Sequence, residues 1–95
     1  MIVGYGMITF RINDCRSLKE KRKVVKSIIA RLQHHFNASV AEVGANDLHQ
    51  KAEIGFALIG NDHQLINSKI DKMINLADEL GLAEIIDTES EIVHL

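Results

Sequence analysis

The stretch GMITFRINDCRSLKEKRKVV, Gly6–Val25, contains the change from strand to helix that decides the fold. Side chains alternate between two faces through Ile2–Ile12, and this period of two predicts a β-strand. Asn13–Arg16 interrupts the alternation. Ser17 then precedes Glu20 by three residues, a spacing typical of a capping box, so a helix is predicted to begin there.

The same periodicities predict four further elements downstream. The helix that starts at Ser17 ends near His35, and it is followed by strands over Ala38–Val43 and Ala52–Ile59, a second helix between Asp62 and Gly81, and a last strand over Glu84–Val93. The order βαββαβ predicts a ferredoxin-like α+β sandwich in one domain, residues 1–95. Its four-stranded antiparallel sheet has the order 4-1-3-2, with two helices on one face. A small α/β fold of another topology is the main alternative.

This topology brings two distant segments together. The loop Asn13–Ser17 and the loop Gly44–Lys51 are expected at one end of the sheet, where the first helix begins. The sequence NDLHQK, Asn46–Lys51, is therefore a predicted neighbour of the basic start of that helix.

The charges are divided along the chain, although the net charge is only −2. Residues 1–31 carry eight Lys/Arg and two Asp/Glu, whereas residues 62–95 carry two Lys/Arg and eight Asp/Glu. Such a split predicts separate basic and acidic surfaces, or ordinary solvated faces.

A single cysteine, no apolar run long enough to cross a membrane and no recognisable signal peptide favour a cytoplasmic protein without a membrane partner.

Six cations lie close to the predicted start of the first helix, which is the end of a helix dipole that repels them. Free backbone N–H groups with nearby Arg and Lys form an anion site, and a nucleic acid is the expected source of phosphates for a chain of this size. The alternative is a solvated basic face. The candidate phosphate-binding residues are Arg16, Lys19, Lys21, Arg22, Lys23 and Lys26, with Asn46, Asp47, His49 and Gln50 from the neighbouring loop. The stems of Lys21 and Arg22 are expected to lie along the core while their charged heads reach water.

The face of the sheet away from the helices is a second candidate surface. It could serve as a dimer interface, as a platform for RNA bases or simply as a partly exposed sheet, and self-association is favoured over base stacking. The residues expected on it are Val3, Tyr5, Met7, Ala57 and Ile59.

The residues capable of catalysis form no recognisable constellation. The five histidines show no spacing typical of a metal site, and no cofactor motif is present, since GYG at Gly4–Gly6 lies inside a strand. His49 with Asp47 is a conceivable acid/base pair, but a loop hydrogen bond is the simpler interpretation. Cys15 lacks a base in a defined place. We therefore expect neither an enzyme nor a bound metal or cofactor, and keep an enzyme centred on these residues as a third hypothesis.

The chain also resembles the YlxP-like family of small bacterial proteins, a domain of unknown function. The resemblance covers essentially the whole chain and is carried by RSLKEKR at Arg16–Arg22, FNASVAEVGANDLHQKA at Phe36–Ala52 and GND at Gly60–Asp62. It implies a ferredoxin-like fold and an association with translation, with RNA or the small ribosomal subunit as partner, but no catalytic residues.

The leading hypothesis is accordingly an RNA- or ribosome-associated protein, in small-subunit maturation or translation. The alternative is a homo-oligomeric, structural or protein-interaction module without nucleic-acid binding, whose acidic C-terminal third contacts a basic partner.

Overall fold

A computed structural model describes all residues, 1–95, as six elements in the predicted order. They are β1 (Ile2–Arg11), α1 (Leu18–Phe36), β2 (Ser39–Gly44), β3 (Lys51–Gly60), α2 (His63–Glu79) and β4 (Glu84–His94). The predicted boundaries differ from these by at most two residues. Neither helix is long and apolar enough to cross a membrane.

The four strands form one sheet in the order β2-β3-β1-β4, and all neighbouring strands are antiparallel. This is the predicted 4-1-3-2 order read from the other edge, so the ferredoxin-like fold is confirmed. β1 is central and pairs with β3 and β4 over its whole length: Ile2 lies opposite Gly60 and His94, and Arg11 opposite Lys51 and Glu84.

The core lies between the sheet and the two helices and holds 17 buried residues. Alternate side chains of β1 and β3 point into it, because a strand sends successive side chains to opposite faces. The helices contribute residues at helical spacing, so one stripe of each faces the sheet. The largest fully buried apolar side chains are Ile8, Phe10, Ile28, Leu32, Ile54, Ile66 and Met73.

α2 packs against the bare backbone of β1 at Gly4. A Cβ atom built on Gly4 would lie 2.5 Å from Cγ2 of Ile66 and 3.0 Å from Cδ1 of Ile70. The Ile66 methyl is on a β-branched side chain, which has little rotamer freedom in a helix. The absence of a side chain at Gly4 therefore sets how closely α2 approaches the sheet.

Gly4→Ala should lower the free energy of unfolding by about 1–3 kcal/mol, because the added methyl forces α2 away from β1. Urea unfolding measures the change, and the exposed β4 variant Ser90→Ala should stay within about 0.5 kcal/mol of the wild type. A Gly4→Ala protein as stable as the Ser90→Ala protein would contradict this packing.

Candidate nucleic-acid interface

An N-cap with the first of the two hydrogen bonds of a capping box starts α1. The backbone of Ser17 is extended, with φ −150° and ψ 159°, and its Oγ accepts a hydrogen bond from the Glu20 N–H at 3.1 Å. The Glu20 carboxylate in turn accepts from the Arg16 N–H at 2.9 Å. The first bond satisfies an N–H group that the helix start leaves free, and the second ties the residue before the cap to the first turn of α1.

Five of the six predicted cations are exposed and form no ion pair. The chain contains three ion pairs, Arg11–Glu84, Lys21–Glu42 and Lys51–Glu53, so only Lys21 of the predicted set has an acidic partner. At 100° per residue, four of the five cations fall within about a third of the helix circumference. We call the set the cationic surface: Arg16, Lys19, Arg22, Lys23 and Lys26.

Lys21 is a correction to the prediction, because its charged head does not reach water. Its side chain is 1% exposed, and its Nζ lies 2.9 Å from Oε2 of Glu42 and donates to the carbonyl oxygen of Ala45. Lys21 cannot contact a phosphate from this position. The physical reason is its place on the helix, since it continues the buried stripe of Val25, Ile28 and Leu32 by one turn.

The surroundings of the Lys21–Glu42 ion pair offset part of the cost of burying its two charges. Glu42 keeps 18% of its side chain exposed, and its buried Oε2 accepts no hydrogen bond of good geometry, so the contact is chiefly coulombic. The Ala45 carbonyl supplies the oriented partner and also accepts from the Leu48 N–H at 3.0 Å. Ala45 has φ 57°, a left-handed conformation that costs a non-glycine residue about 1–3 kcal/mol. The Lys21 ammonium therefore helps to hold a strained turn of the β2–β3 loop against α1.

The two loops that the sequence predicted as neighbours do meet. The Ile12 N–H donates to the Gln50 carbonyl at 2.9 Å, and the Gln50 side-chain amide donates to the Cys15 carbonyl at 3.4 Å. Asn46, Asp47, His49 and Gln50 are all exposed beside the start of α1. The loop thus presents polar groups next to the cationic surface.

The conceivable catalytic groups are not assembled here. His49 and Asp47 form no hydrogen bond or ion pair with each other. Cys15 is 5% exposed, and its Sγ donates to the Ser17 carbonyl at 3.4 Å. No group of three or more His, Cys, Asp or Glu side chains is arranged to hold a metal ion.

The sheet face opposite the helices is uncovered, and one edge of it is acidic. Tyr5 is 43% exposed and Ile59 65%, while Val3, Met7 and Ala57 are half-buried. The Tyr5 hydroxyl donates to the Glu91 carboxylate at 2.8 Å. This hydrogen bond, with the charge of Glu91, raises the pKa of Tyr5 above its ordinary value.

The acidic edge opposes a role of this face in stacking RNA bases. In the register of β1 and β4, Glu89 lies opposite Met7 and Asp87 opposite Thr9, next to the Tyr5–Glu91 pair. Three carboxylates therefore line the side of the face that carries its one aromatic ring, and they repel a phosphate backbone.

The contact between His63 and His94 was not predicted from the sequence. A ring nitrogen of His63, the first residue of α2, lies 2.7 Å from a ring nitrogen of His94, the last residue of β4. The two are 31 residues apart, so no short motif marks them. The predicted topology was the available signal, since it places the start of α2 and the end of β4 at the same end of the sheet.

Lys21→Met should lower the free energy of unfolding by about 2–4 kcal/mol, because it leaves the Glu42 carboxylate largely buried without a counter-charge. Chemical unfolding measures the decrease. The double variant Lys21→Met/Glu42→Leu should recover most of it, since an apolar pair replaces a buried ion pair at little cost. Lys23→Met, on the exposed face two residues along, is the control and should change stability by less than about 0.5 kcal/mol. Equal effects of Lys21→Met and Lys23→Met would contradict the buried position of Lys21.

The fold recurs in solved structures whose sequences differ widely from this one. The chain superposes on a de novo designed protein with ferredoxin fold, LFR1 1, with TM-score 0.53 and 12% identity, covering 100% of this chain and 87% of the designed one. It also superposes on part of the VAO-type flavoprotein MtVAO615 from Myceliophthora thermophila C1, with TM-score 0.58 and 14% identity. That match covers 97% of this chain but 16% of the flavoprotein. At these identities the likeness shows the fold alone.

Sequence comparison identifies closer relatives. The chain is 30% identical over 90 residues to “Uncharacterized protein YlxP” of Bacillus subtilis (strain 168), covering 95% of this chain and 98% of that protein. The family described as “Protein of unknown function (DUF503)” matches residues 3–90. The chain therefore belongs to the DUF503, YlxP-like family.

Proposed function

We propose that this protein is a cytoplasmic, non-enzymatic RNA-binding protein that contacts the phosphate backbone through the start of α1. The observation that carries the proposal is the cationic surface itself: five exposed Lys and Arg side chains without an acidic partner, on a chain whose net charge is −2. An RNA backbone supplies repeated anions at short spacing, which is the ligand such a surface suits.

The arrangement is unfavourable without an anion. Cations in the first turn of a helix oppose its dipole by a few tenths of a kcal/mol each, and neighbouring like charges repel one another. Glu20 is the only carboxylate in the first turn of α1, and it is engaged with the Arg16 N–H. Phosphate groups would relieve both penalties, and Arg and Lys form charge-assisted hydrogen bonds with them.

The chain is better equipped to recognise an RNA backbone than to stack unpaired bases. Phe10 and Phe56 are buried in the core, and Tyr5 is bonded to Glu91 on the acidic side of the open face. Next to the cationic surface lie the polar groups of Asn46 and Gln50, which suit 2′-hydroxyl and phosphate oxygens. Backbone contacts of this kind favour folded RNA with little base preference.

The association with translation that the family resemblance implies makes the RNA of the small ribosomal subunit the first to test. The division of charge supports a single binding orientation. The acidic residues of β4 would face away from the RNA, because an extended negative backbone repels them and attracts the start of α1.

The variant Lys19→Glu/Lys23→Glu should bind RNA at least about tenfold more weakly, because each reversal replaces an attraction of about 1 kcal/mol with a repulsion. Fluorescence anisotropy with a structured ribosomal RNA fragment measures the affinity over a salt series. The slope of log K against log salt should become shallower by roughly 0.7–0.9 for each phosphate that the variant no longer neutralises.

The control is Lys69→Glu/Lys72→Glu, which makes the same change in net charge on α2, the helix that does not carry the cationic surface. It should bind almost as the wild type does. Wild-type affinity in Lys19→Glu/Lys23→Glu, with unchanged circular dichroism, would overturn the proposal.

The uncovered sheet face favours a second candidate function, a homo-oligomeric protein that pairs through this face. Ile59 is 65% exposed, Tyr5 43% and Val43 59%. Val43 lines a shallow, mostly apolar surface with Met7, Ala41 and Ala57, and a second copy of the chain could cover it together with Ile59 and Tyr5.

This candidate predicts a dimer in sedimentation equilibrium that Ile59→Asp converts to a monomer, because the carboxylate would be buried without a partner. Leu82→Asp is the control, since Leu82 is also exposed but lies in the α2–β4 connection. It should leave the dimer intact. A wild-type monomer at high concentration would remove the candidate.

A further inference from the structure

His63 and His94 form a pre-positioned pair of imidazoles at the end of the sheet opposite the cationic surface. Their facing ring nitrogens are 2.7 Å apart, the ring centroids 4.9 Å apart, and the ring planes are inclined by 26°. Both side chains are exposed, so water reaches the space around the pair.

Well-defined backbone elements hold both histidines in place. Asp62 is the N-cap of α2, and its side chain accepts hydrogen bonds from the Gln64 and Leu65 N–H groups at 2.9 and 3.3 Å. At the end of β4, the Leu95 N–H donates to the Met1 carbonyl at 2.7 Å. A ligand that joins the two rings therefore has little backbone to order, which favours binding.

We propose that His63 and His94 bind a divalent transition-metal ion of the Zn²⁺, Ni²⁺ or Cu²⁺ class. Neutral imidazole is a preferred ligand of these ions. With metal–nitrogen bonds of about 2.0–2.1 Å, two nitrogens of one ion are about 2.8–3.4 Å apart for angles between 90° and 109°. The rings need to separate by less than about 0.7 Å from their present spacing and to turn their lone pairs to one point. Exposed side chains at the ends of two elements can make this adjustment.

The ion would have two protein ligands and would complete its coordination with water. It would link the first turn of α2 to the last residue of β4, two segments far apart in sequence. Because the pair exists only in the folded chain, binding stabilises the fold by mass action. Hard cations such as Mg²⁺ prefer oxygen ligands and should not bind there.

The test is thermal unfolding of the chain without an affinity tag, with ZnCl₂, NiCl₂ or CuCl₂ at concentrations up to about 1 mM, and with MgCl₂ as the ion control. We expect a rise in the unfolding midpoint with at least one of the three ions and none with MgCl₂. His63→Gln and His94→Gln should each abolish the rise, measured against the variant's own metal-free midpoint.

The matched control is His34→Gln/His35→Gln, which removes two exposed histidines that are adjacent on α1 and point about 100° apart. This variant should keep the full rise. A rise that persists in His63→Gln/His94→Gln, or no rise with any of the three ions in the wild type, would overturn the proposal. Isothermal titration of the same proteins gives the stoichiometry, which should be one ion per chain in the wild type.

Discussion

β1 hydrogen-bonds to a neighbour along both of its edges, and the placement of both proposed binding sites depends on this pairing. Since both neighbours are antiparallel, the start of β1 meets the ends of β3 and β4, and its end meets their starts. The β2–β3 loop and the start of α1 therefore share one end of the sheet. His63 and His94 share the other, about 30 Å away along a ten-residue strand. A ligand at one end can bind without contact with a ligand at the other.

At the cationic end, Lys21 is buried in an ion pair, whereas the other cations of the predicted set are exposed. Lys21 occupies a core position of α1 and extends to Glu42 and to the strained turn at Ala45. Burying an ammonium group is costly, and an apolar residue could fill the space. What an apolar residue could not do is bond the Ala45 carbonyl and hold the loop on the helix. The remaining cations precede α1 or lie on its other faces, where no carboxylate neutralises them. The ion pair thus positions the loop residues beside the surface that we propose for RNA.

Periodicity and capping were sufficient to predict the fold, because they act over a few residues. The alternation in β1, the Ser17–Glu20 box and the glycine at position 81, where φ is 64°, all report local backbone preferences. The order of the helices and strands along the chain is then compatible with few sheet topologies, because crossover connections are right-handed. The same topology correctly placed the loop of Gln50 beside Cys15. It also places the start of α2 and the end of β4 at one end of the sheet, but no local pattern marks His63 and His94 as partners.

The sequence by itself determined the six elements, their order in the sheet and the concentration of positive charge at the start of α1. Only the tertiary structure decided which of those charges are exposed and able to contact an anion. Lys21 and Lys23 are alike in sequence context, yet one pairs with Glu42 inside the fold and the other is exposed. The difference depends on which face of α1 meets β2, and that is settled by packing between segments about twenty residues apart. Likewise, His63 and His94 become partners only when α2 packs on the sheet that contains β4. Contacts between distant segments produce no periodic pattern in the sequence, so local patterns do not predict them.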